Sequence, residues 1–572
     1  MQETFGIQRL RDGQEEVIAR ALAGLDTLAI MPTGAGKSLC YQLPAMHFDG
    51  VTVVVSPLIA LMKDQAEKLL AAGVQAEQFN SAVPSAEQDA ALERLTCGRS
   101  EIVFATPERL ADPAFVTALE TRPIALFVVD EVHCISQWGH DFRPAFLEIG
   151  AAVKLLGNPP LLALTATAPE DVIADIRQQF ARAGMHVVDT GLYRSNLQLQ
   201  VVQCMNEEEN MARVVEALGR AQGAGIIYTA TVKACTELHA RLQEAGESVT
   251  LYHGRLPRVE RTANQGSFMA GEFRTMVATN AFGMGIDKAD LRFVLHYQMT
   301  GSLEAYYQEA GRAGRDGVPA ACALLFDRRD RHVQQFFLAH RYPTAEDLQQ
   351  VYDVLAAPTP ERTSPGAKPD AAAATDAVGS LRLEELVERL PGLAKQRVAV
   401  AWHLLRDDRL ARADRHKAWL PLPSSGGRAM FERLAQEYEE RAERDYEALE
   451  RMVFYAQTGF CRWRVLLEYF DEALPFHNER CGTCDNCLRM AASPPAVVEQ
   501  PAFESKAATL ASEIRWRPQD EVRVPRYGNG RVESASLDEV EVRFADGSTR
   551  RFVASYVQPA GSGDAALQSL AP

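Results

Sequence analysis

Short runs dominated by β-branched apolar residues alternate with helix-periodic stretches through the first third of the chain. Runs at 51–55, 101–105, 125–129 and 160–164 hold almost no polar positions, so each reads as a strand covered on both faces. Helical spacing at 60–72 and 85–96 separates them, which predicts a parallel, doubly wound α/β sheet. The style returns over 195–340, with strands expected at 225–229, 249–253, 275–279, 292–297 and 321–326. Two such sheets in tandem place a ligand outside the carboxyl ends of their strands.

The pattern then changes. Residues 357–377 are rich in Pro and Ala and read as a linker. Helical patterns at 381–390 and 394–407 and a hairpin-like stretch at 410–420 suggest a small winged-helix unit over 378–425. A long charged helix at 428–458 opens a helical unit, 428–490, that ends in a cysteine cluster. A second linker covers 491–512. Short alternating strands over 513–560, with turn signals at Tyr527-Gly528-Asn529-Gly530 and Asp546-Gly547, predict a small β-barrel, and 561–572 a disordered tail.

At 572 residues, with 47% hydrophobic and 24% charged positions, the chain has the composition of a soluble multidomain protein. No apolar stretch approaches the ~20 residues of a membrane span, and Glu3, Arg9, Arg11, Asp12 and Glu15 break any signal-peptide core. Six cysteines (40, 97, 134, 204, 235 and 322) are scattered, as small buried residues of a reducing cytoplasm would be. The net charge of −16 argues against a protein that coats nucleic acid electrostatically; such contact requires placed residues.

Three ordered motifs bring in the chemistry. Pro32-Thr33-Gly34-Ala35-Gly36-Lys37-Ser38 follows the apolar run Thr27-Leu28-Ala29-Ile30-Met31 and has the composition of a phosphate loop, although Met31 stands where the strict pattern has its first Gly. Gly34 and Gly36 let backbone N–H groups approach phosphate, Lys37 brings a point charge to the β/γ oxygens, and Ser38 offers a Mg2+ ligand. Alone, such a turn is often only a tight turn; the flanking strand and helix and an acidic partner downstream oppose that reading. The partner is Asp130, at the end of a buried strand where a carboxylate is costly unless it serves a cation. Glu131 can orient or deprotonate a water there, and His133 can pass the nucleotide state onward. Finally, Gln308-Glu309-Ala310-Gly311-Arg312-Ala313-Gly314-Arg315 supplies Arg312 and Arg315 to answer charge developing on a γ-phosphate. Together these describe an NTP-driven motor split over two domains.

These residues resemble the ATP-binding core of a superfamily 2 helicase, and their flanks resemble the RecQ family. The segments that carry the likeness are Phe5-Gly6 with Leu10 to Gln14; Met31 to Gln42; Ser56 to Gln65; Thr106 to Leu110; Cys134 to Pro144; Leu164 to Ala168; Ala278 to Asp287; and Tyr306 to Gly317. They cover residues 1–340 densely and in order. The resemblance implies two RecA-like domains, 1–194 and 195–345, with ATP and Mg2+ in the cleft between them. It implies that Gln14 reads adenine with Arg11 nearby, that Thr33 belongs to the phosphate site, and that Gly285 and Asp287 line the cleft. Ile7 replaces a usual aromatic stacker and Leu10 a usual Phe, which implies looser base selectivity; Val132 replaces Ala of the DEAH box, a neutral enlargement.

Ser136 to Pro144 resembles the family's aromatic-rich loop, in which Trp138 and Phe142 offer faces to unstacked bases and Arg143 pairs with phosphate. From the residues alone, both aromatics equally suit the sealing of a core. Tyr252-His253-Gly254 and Thr279 resemble strand-gripping positions, with sheet-end turns as the alternative. The spacing Cys461-x19-Cys481-x2-Cys484-x2-Cys487 is that of a tetrahedral structural Zn2+ site, with disulfides as the competing reading.

The family's usual order places the wing after the zinc cluster, whereas here the candidate precedes it. Residues 381–422 carry nine Lys/Arg against six acids, which fits duplex DNA contact, an ordinary solvated wing being the rival. Residues 520–532 resemble the Tudor-like barrel of UvrD-type helicases; the near-neutral charge of 514–556, eight Arg against seven acids, suits a protein partner such as RNA polymerase or a repair factor, and a stabilising cap is the alternative. The expectation is a monomeric 3′–5′ DNA helicase acting on single strands and tailed duplexes in repair or recombination. The alternative is a DNA-stimulated translocase or strand-annealing remodeler without robust unwinding. Intact Lys37, Asp130, Glu131 and Arg315 oppose a scaffold with a vestigial motor.

Overall fold

The computed structural model describes residues 5–110, 112–135, 145–146, 149–283, 288–339, 342–357, 381–408, 410–413, 419–422, 427–492, 516–524, 528–536, 539–544, 547, 549–554 and 557–560. Residues 1–492 form one compact unit and 493–572 a second. The expected linkers at 357–377 and 491–512 and the expected tail at 561–572 lie almost wholly outside the described residues.

The first domain is a seven-stranded parallel sheet: β1 (Thr27–Ile30), β2 (Val51–Val55), β3 (Ala76–Phe79), β4 (Ile102–Ala105), β5 (Ile124–Val129), β6 (Leu161–Thr165) and β7 (His186–Asp189), in the order β3-β4-β2-β5-β6-β1-β7. Every residue of β2, β4 and β6 is buried, because helices cover both faces, and an apolar core lies on each side. The edge strands β3 and β7 were not expected from the pattern. An edge tolerates polar positions, and β3 carries Glu77, held bidentately by Arg94 at 2.6 and 2.7 Å.

The second domain repeats the design with six parallel strands: β8 (Leu197–Gln203), β9 (Ala224–Tyr228), β10 (Val249–Tyr252), β11 (Thr275–Ala278), β12 (Leu291–His296) and β13 (Ala320–Phe326), in the order β10-β11-β9-β12-β13-β8. Both domains are therefore RecA-like parallel-sheet layers. Residues 190–196 join the last strand of one to the first strand of the other.

Helices Ala345–Ala356, Leu383–Arg389 and Lys395–Asp407 share a core with a hairpin of β14 (Ala411–Ala413) and β15 (Trp419–Pro421). Leu381 bridges to Trp419, and Trp402 stacks on Trp419 with centroids 4.1 Å apart. This unit begins upstream of the Pro/Ala-rich stretch rather than at 378. Leu348, Val351 and Leu355, at helical spacing, are buried in its core, so residues that precede and follow the stretch in sequence belong to one unit.

The 31-residue helix Gly427–Gln457 spans about 46 Å at 1.5 Å per residue and belongs to two cores. Phe431 and Leu434 enter the unit just described, whereas Leu449, Met452, Tyr455 and Ala456 enter the core of the second domain. Helices Arg462–Tyr469 and Asp485–Ala492 complete that shared core. Trp463 is fully buried there, and its Nε1 donates to the Leu197 carbonyl at 3.3 Å. Asp485 binds the Arg462 guanidinium at 2.9 and 3.0 Å and accepts from the Val201 amide at 3.2 Å. The cysteine-bearing segment is thus a wall of the second domain, not a separate bead.

The second compact unit is a five-stranded antiparallel sheet: β16 (Glu521–Val524), β17 (Gly528–Ala535), β18 (Glu539–Phe544), β19 (Thr549–Val553) and β20 (Gln558–Pro559), in the order β19-β18-β17-β16-β20. Period-two placement of Val522, Val524, Val532, Val540 and Val542 fills its core beside Trp516. Among the described residues no helix is long and apolar enough to cross a membrane.

Trp463→Ala should destabilise residues 1–492 by roughly 3–5 kcal/mol, the usual loss for truncating a buried aromatic. Chemical denaturation checks this; a loss below about 1 kcal/mol would contradict the shared core.

Candidate nucleotide and metal sites

The turn after β1 delivers the phosphate loop to the carboxyl edge of the first sheet. Gly34 (φ +88°) and Gly36 (φ +81°) adopt the left-handed conformation open to glycine, and neither has room for a side chain. A Cβ on Gly34 would lie 2.9 Å from Arg315 Cγ, and one on Gly36 would lie 2.6 Å from Gln14 Nε2. Gln14 is buried and props the loop: its Nε2 donates to the Ala35 and Gly36 carbonyls at 2.9 and 3.0 Å, and its Oε1 accepts from the Arg11 amide at 2.8 Å. Lys37 Nζ donates to the Met31 carbonyl at 3.1 Å, so the ammonium is tethered to the start of the loop.

At the end of β5, Asp130 accepts from the Glu131 amide at 3.0 Å. Burial, with Glu131 next in weight, raises its pKa to about 7 despite Lys37 and Ser56 nearby. Glu131 has φ +50°, a conformation that costs a non-glycine residue free energy and recurs at functional sites. Its Oε2 is buried 3.4 Å from His133 Nδ1 and makes no hydrogen bond among the described residues. His133 Nδ1 also lies 3.0 Å from Thr165 Oγ1, which donates to the Thr167 carbonyl at 2.9 Å. Thr165 and Thr167 therefore fix the histidine; no local pattern assigned them that task.

The second domain closes the site. Helix Leu303–Ala310 carries Gln308, and the turn after it carries Arg312 and Arg315. Arg11 donates to the carbonyls of Gly34 and Arg315, the latter at 3.3 Å, and so touches both domains. One cavity of about 730 Å³ is lined by all seven expected catalytic residues, Lys37, Asp130, Glu131, His133, Gln308, Arg312 and Arg315, together with Arg11, Gln14, Thr33, Gly34, Gly36 and Ser38. That volume lies within the range of small-molecule sites, roughly 300–1,000 Å³. Ile7, Leu58, Leu61 and Leu69 add an apolar end. The donor set fits magnesium and a nucleoside triphosphate: two hard oxygen donors, Ser38 and Asp130, beside a glycine-cradled turn and the cationic side chains of Lys37, Arg312 and Arg315. Gly285 and Asp287 lie outside the described residues.

Among the residues expected to grip a strand, Trp138, Phe142 and Arg143 also lie outside the described residues. His253 and Thr279 are brought together: Tyr252 pairs with Ala278 in parallel register, so the two follow side by side at the strand ends, and the Thr279 amide donates to the Tyr252 carbonyl at 3.2 Å. Both are buried, His253 Nδ1 has no partner among the described residues, and burial lowers its pKa.

The four clustered cysteines form the metal site. The sulfurs of Cys461, Cys481, Cys484 and Cys487 all lie within 4.8 Å of one another, with Cys481–Cys487 and Cys461–Cys484 at 4.0 Å. Tetrahedral zinc thiolates stand about 3.8 Å apart, whereas a disulfide needs about 2 Å, so the disulfide reading fails. Backbone N–H groups of Cys481, Arg462, Thr483 and Cys484 point at three of the sulfurs from 3.3 to 3.4 Å, which favours the thiolates zinc requires.

Two outcomes follow from this geometry. Removing zinc with a thiol-specific competitor should release one ion per chain and lower the melting temperature of the second domain, because the ligands hold its wall; a full release of metal with unchanged melting would contradict this. The raised pKa of Asp130 gives a pH dependence with a definite sign. Its stabilising contribution is complete below the unfolded carboxylate value of about 3.9 and is lost as pH rises through about 7, because ionisation in this site is unfavourable without a cation. Affinity for Mg-ATP, which needs the ionised form, should increase over the same rise, and Asp130→Asn should abolish that slope. Titration calorimetry from about pH 6 to about pH 8 reads it, and a flat wild-type profile would contradict it.

Comparison with known proteins agrees with the geometry. The DEAD/DEAH box helicase family matches residues 11–176, the helicase conserved C-terminal domain 209–317, and the RecQ zinc-binding family 426–488. The chain is 34% identical over 512 residues to the probable ATP-dependent DNA helicase RecS of Bacillus subtilis, covering 89% of this chain and 94% of that one. It is 43% identical over 356 residues to the ATP-dependent DNA helicase RecQ of the same organism, covering 61% of this chain and 60% of that one. Against the RecQ of Pasteurella multocida it is 40% identical over 326 residues, 57% of this chain and 51% of that one. With 34% identity to RecS over nearly the whole of both chains, a two-domain nucleotide cleft and a four-cysteine zinc site, the chain belongs to the RecQ family of ATP-dependent DNA helicases.

Proposed function

We propose that the chain unwinds DNA by moving 3′ to 5′ along a single strand, driven by ATP hydrolysis in the cleft between its two RecA-like domains. The observation that carries this is the single cavity shared by Lys37, Asp130 and Glu131 of one domain and Gln308, Arg312 and Arg315 of the other. A site assembled from two bodies is complete only while they are together, so the nucleotide state sets the spacing between domains.

Magnesium, when bound, neutralises phosphate charge and aligns the leaving group. Lys37 and the amides of residues 34–38 cradle the phosphates, Ser38 and Asp130 hold the metal, and Glu131 orients the attacking water. Arg312 and Arg315 answer the charge that develops on the γ-phosphoryl group. Gln14 serves the adenine end, and its bonds to Ala35 and Gly36 connect base recognition to the phosphate loop. His133, fixed by Thr165, relays the occupied state away from Glu131.

Trp138 and Phe142 stack bases of the bound strand and Arg143 meets its phosphate, and the strand also passes the β-strand ends at His253 and Thr279. The 345–421 unit acts as a winged helix, a reading supported by its three helices, the Leu381 bridge and the hairpin, and the excess of nine Lys/Arg over six acids within 381–422 suits duplex DNA ahead of the motor. The five-stranded unit at the end is a Tudor-like barrel that docks a protein of transcription or repair, RNA polymerase among the candidates. Repair or recombination in the cytoplasm, by a monomer, completes the reading.

The test uses duplexes with either a 3′ or a 5′ single-stranded tail, with ATP and Lys37→Ala as control. Opening of the 3′-tailed duplex alone, lost in the variant, is the expected result. DNA-stimulated hydrolysis without strand separation would overturn the proposal.

A further inference from the structure

The connector between the two domains contains a charged side chain that none of the motifs includes. Arg194 reaches back to the phosphate loop and the arginine-bearing turn and donates to four backbone carbonyls. Nη1 meets Thr33 at 3.2 Å and Gly311 at 2.6 Å; Nη2 meets Ala313 at 2.9 Å and Gly314 at 2.5 Å. Thr33 belongs to the phosphate loop, and residues 311–314 form the turn that carries Arg312 and leads into Arg315. One planar fork thus ties the two halves of the site together by their backbones. Among the described residues Arg194 forms no ion pair within salt-bridge distance, and all four of its hydrogen bonds go to backbone carbonyls.

The surroundings make this contact stiff. Asn196 Nδ2 donates to the carbonyls of Gly314 and Val318 at 2.8 and 3.0 Å and holds the same turn. Gly314 has φ +56°, and a Cβ there would lie 2.5 Å from Asn196 Nδ2, so the close approach requires glycine. On the opposite side the connector is clamped by the zinc-bearing wall. Tyr193 packs edge-on against Trp463 and Phe476, with centroids at 5.0 and 5.6 Å, and the Leu192 carbonyl accepts from Tyr307 Oη at 2.7 Å. The backbone on either side of Arg194 therefore has little freedom, and its guanidinium is delivered to the cleft in a set position.

We propose that Arg194 is a positioning residue that registers the arginine-bearing turn of the second domain against the phosphate loop. Closure of the cleft then depends on the connector as well as on the bound nucleotide. The proposal rests on the reading of the cleft as an ATPase site. It assigns Arg194 no contact with the reacting atoms. The physical reason for arginine is geometric: five donors in a fixed plane match several carbonyls at once, whereas a lysine ammonium offers a compact point charge on a flexible stem.

The experiment measures ATP turnover at saturating single-stranded DNA for the full chain, Arg194→Ala and Arg194→Lys, with nucleotide affinity measured separately by direct binding. Loss of registration should lower kcat about 10- to 100-fold, the scale expected when reacting groups are misplaced by about 1 Å, with nucleotide affinity, DNA affinity and melting temperature nearly unchanged. Arg194→Lys should recover part of kcat. Unchanged kcat in Arg194→Ala would overturn the proposal, as would a fall in kcat matched by equal losses of nucleotide affinity and melting temperature. If Arg194→Ala does not fold, Arg194→Lys and Asn196→Ala decide: lowered kcat at unchanged affinity in both supports registration, and wild-type kcat in both overturns it. A wild-type chain that fails to hydrolyse ATP would overturn the ATPase reading itself, an outcome distinct from any of these.

Discussion

Charge on a transferring phosphoryl group has to be met from both sides at once, and in this chain the two sides belong to different domains. Lys37 and the glycine-cradled amides come from the first sheet, Arg312 and Arg315 from the second. Neither half is a complete catalyst. Much of the remaining structure keeps those halves in register: Arg11 touches Gly34 and Arg315, and Gly34 leaves no room for a side chain beneath Arg315. Because positioning and electrostatics supply nearly all of phosphoryl-transfer catalysis, the hydrolysis proposed here depends on interdomain geometry.

The zinc site joins the same mechanical unit. Its ligands fix a wall whose Trp463 and Tyr455 pack on the helix that carries Gln308, Tyr455 through Tyr306 and Trp463 through Tyr307. Four thiolates leave no open coordination position, so the metal contributes rigidity and not chemistry. The 31-residue helix Gly427–Gln457 extends this wall into the core of the 345–421 unit. A continuous helix with its two ends in separate cores physically connects that unit to the second domain.

What the sequence made legible was chemistry that needs particular residue types at fixed local spacing. Gly34, Gly36 and Lys37, the Asp130-Glu131 pair and the three-cysteine knuckle are of that kind, as are the central strands whose every residue is buried. Contacts across long stretches of chain leave no such trace. Arg194 meets carbonyls 161 and 117 positions away, Thr165 positions a histidine 32 residues earlier, and only three-dimensional packing draws Ala345–Ala356 into a core beyond the Pro/Ala-rich stretch. The edge strands β3 and β7 were missed because an edge does not demand apolar residues on both faces.

Proposed unwinding requires the two domains to move together and apart under control of the nucleotide. The most direct measurement is energy transfer between fluorophores placed one on each domain, at exposed positions such as Leu155 and Val259, followed with DNA during a single turnover. The distance should shorten when Mg-ATP binds, hold until hydrolysis, and relax on product release, with the closed phase prolonged by a non-hydrolysable analogue. A distance that stays constant while ATP is hydrolysed at the full DNA-stimulated rate would contradict it.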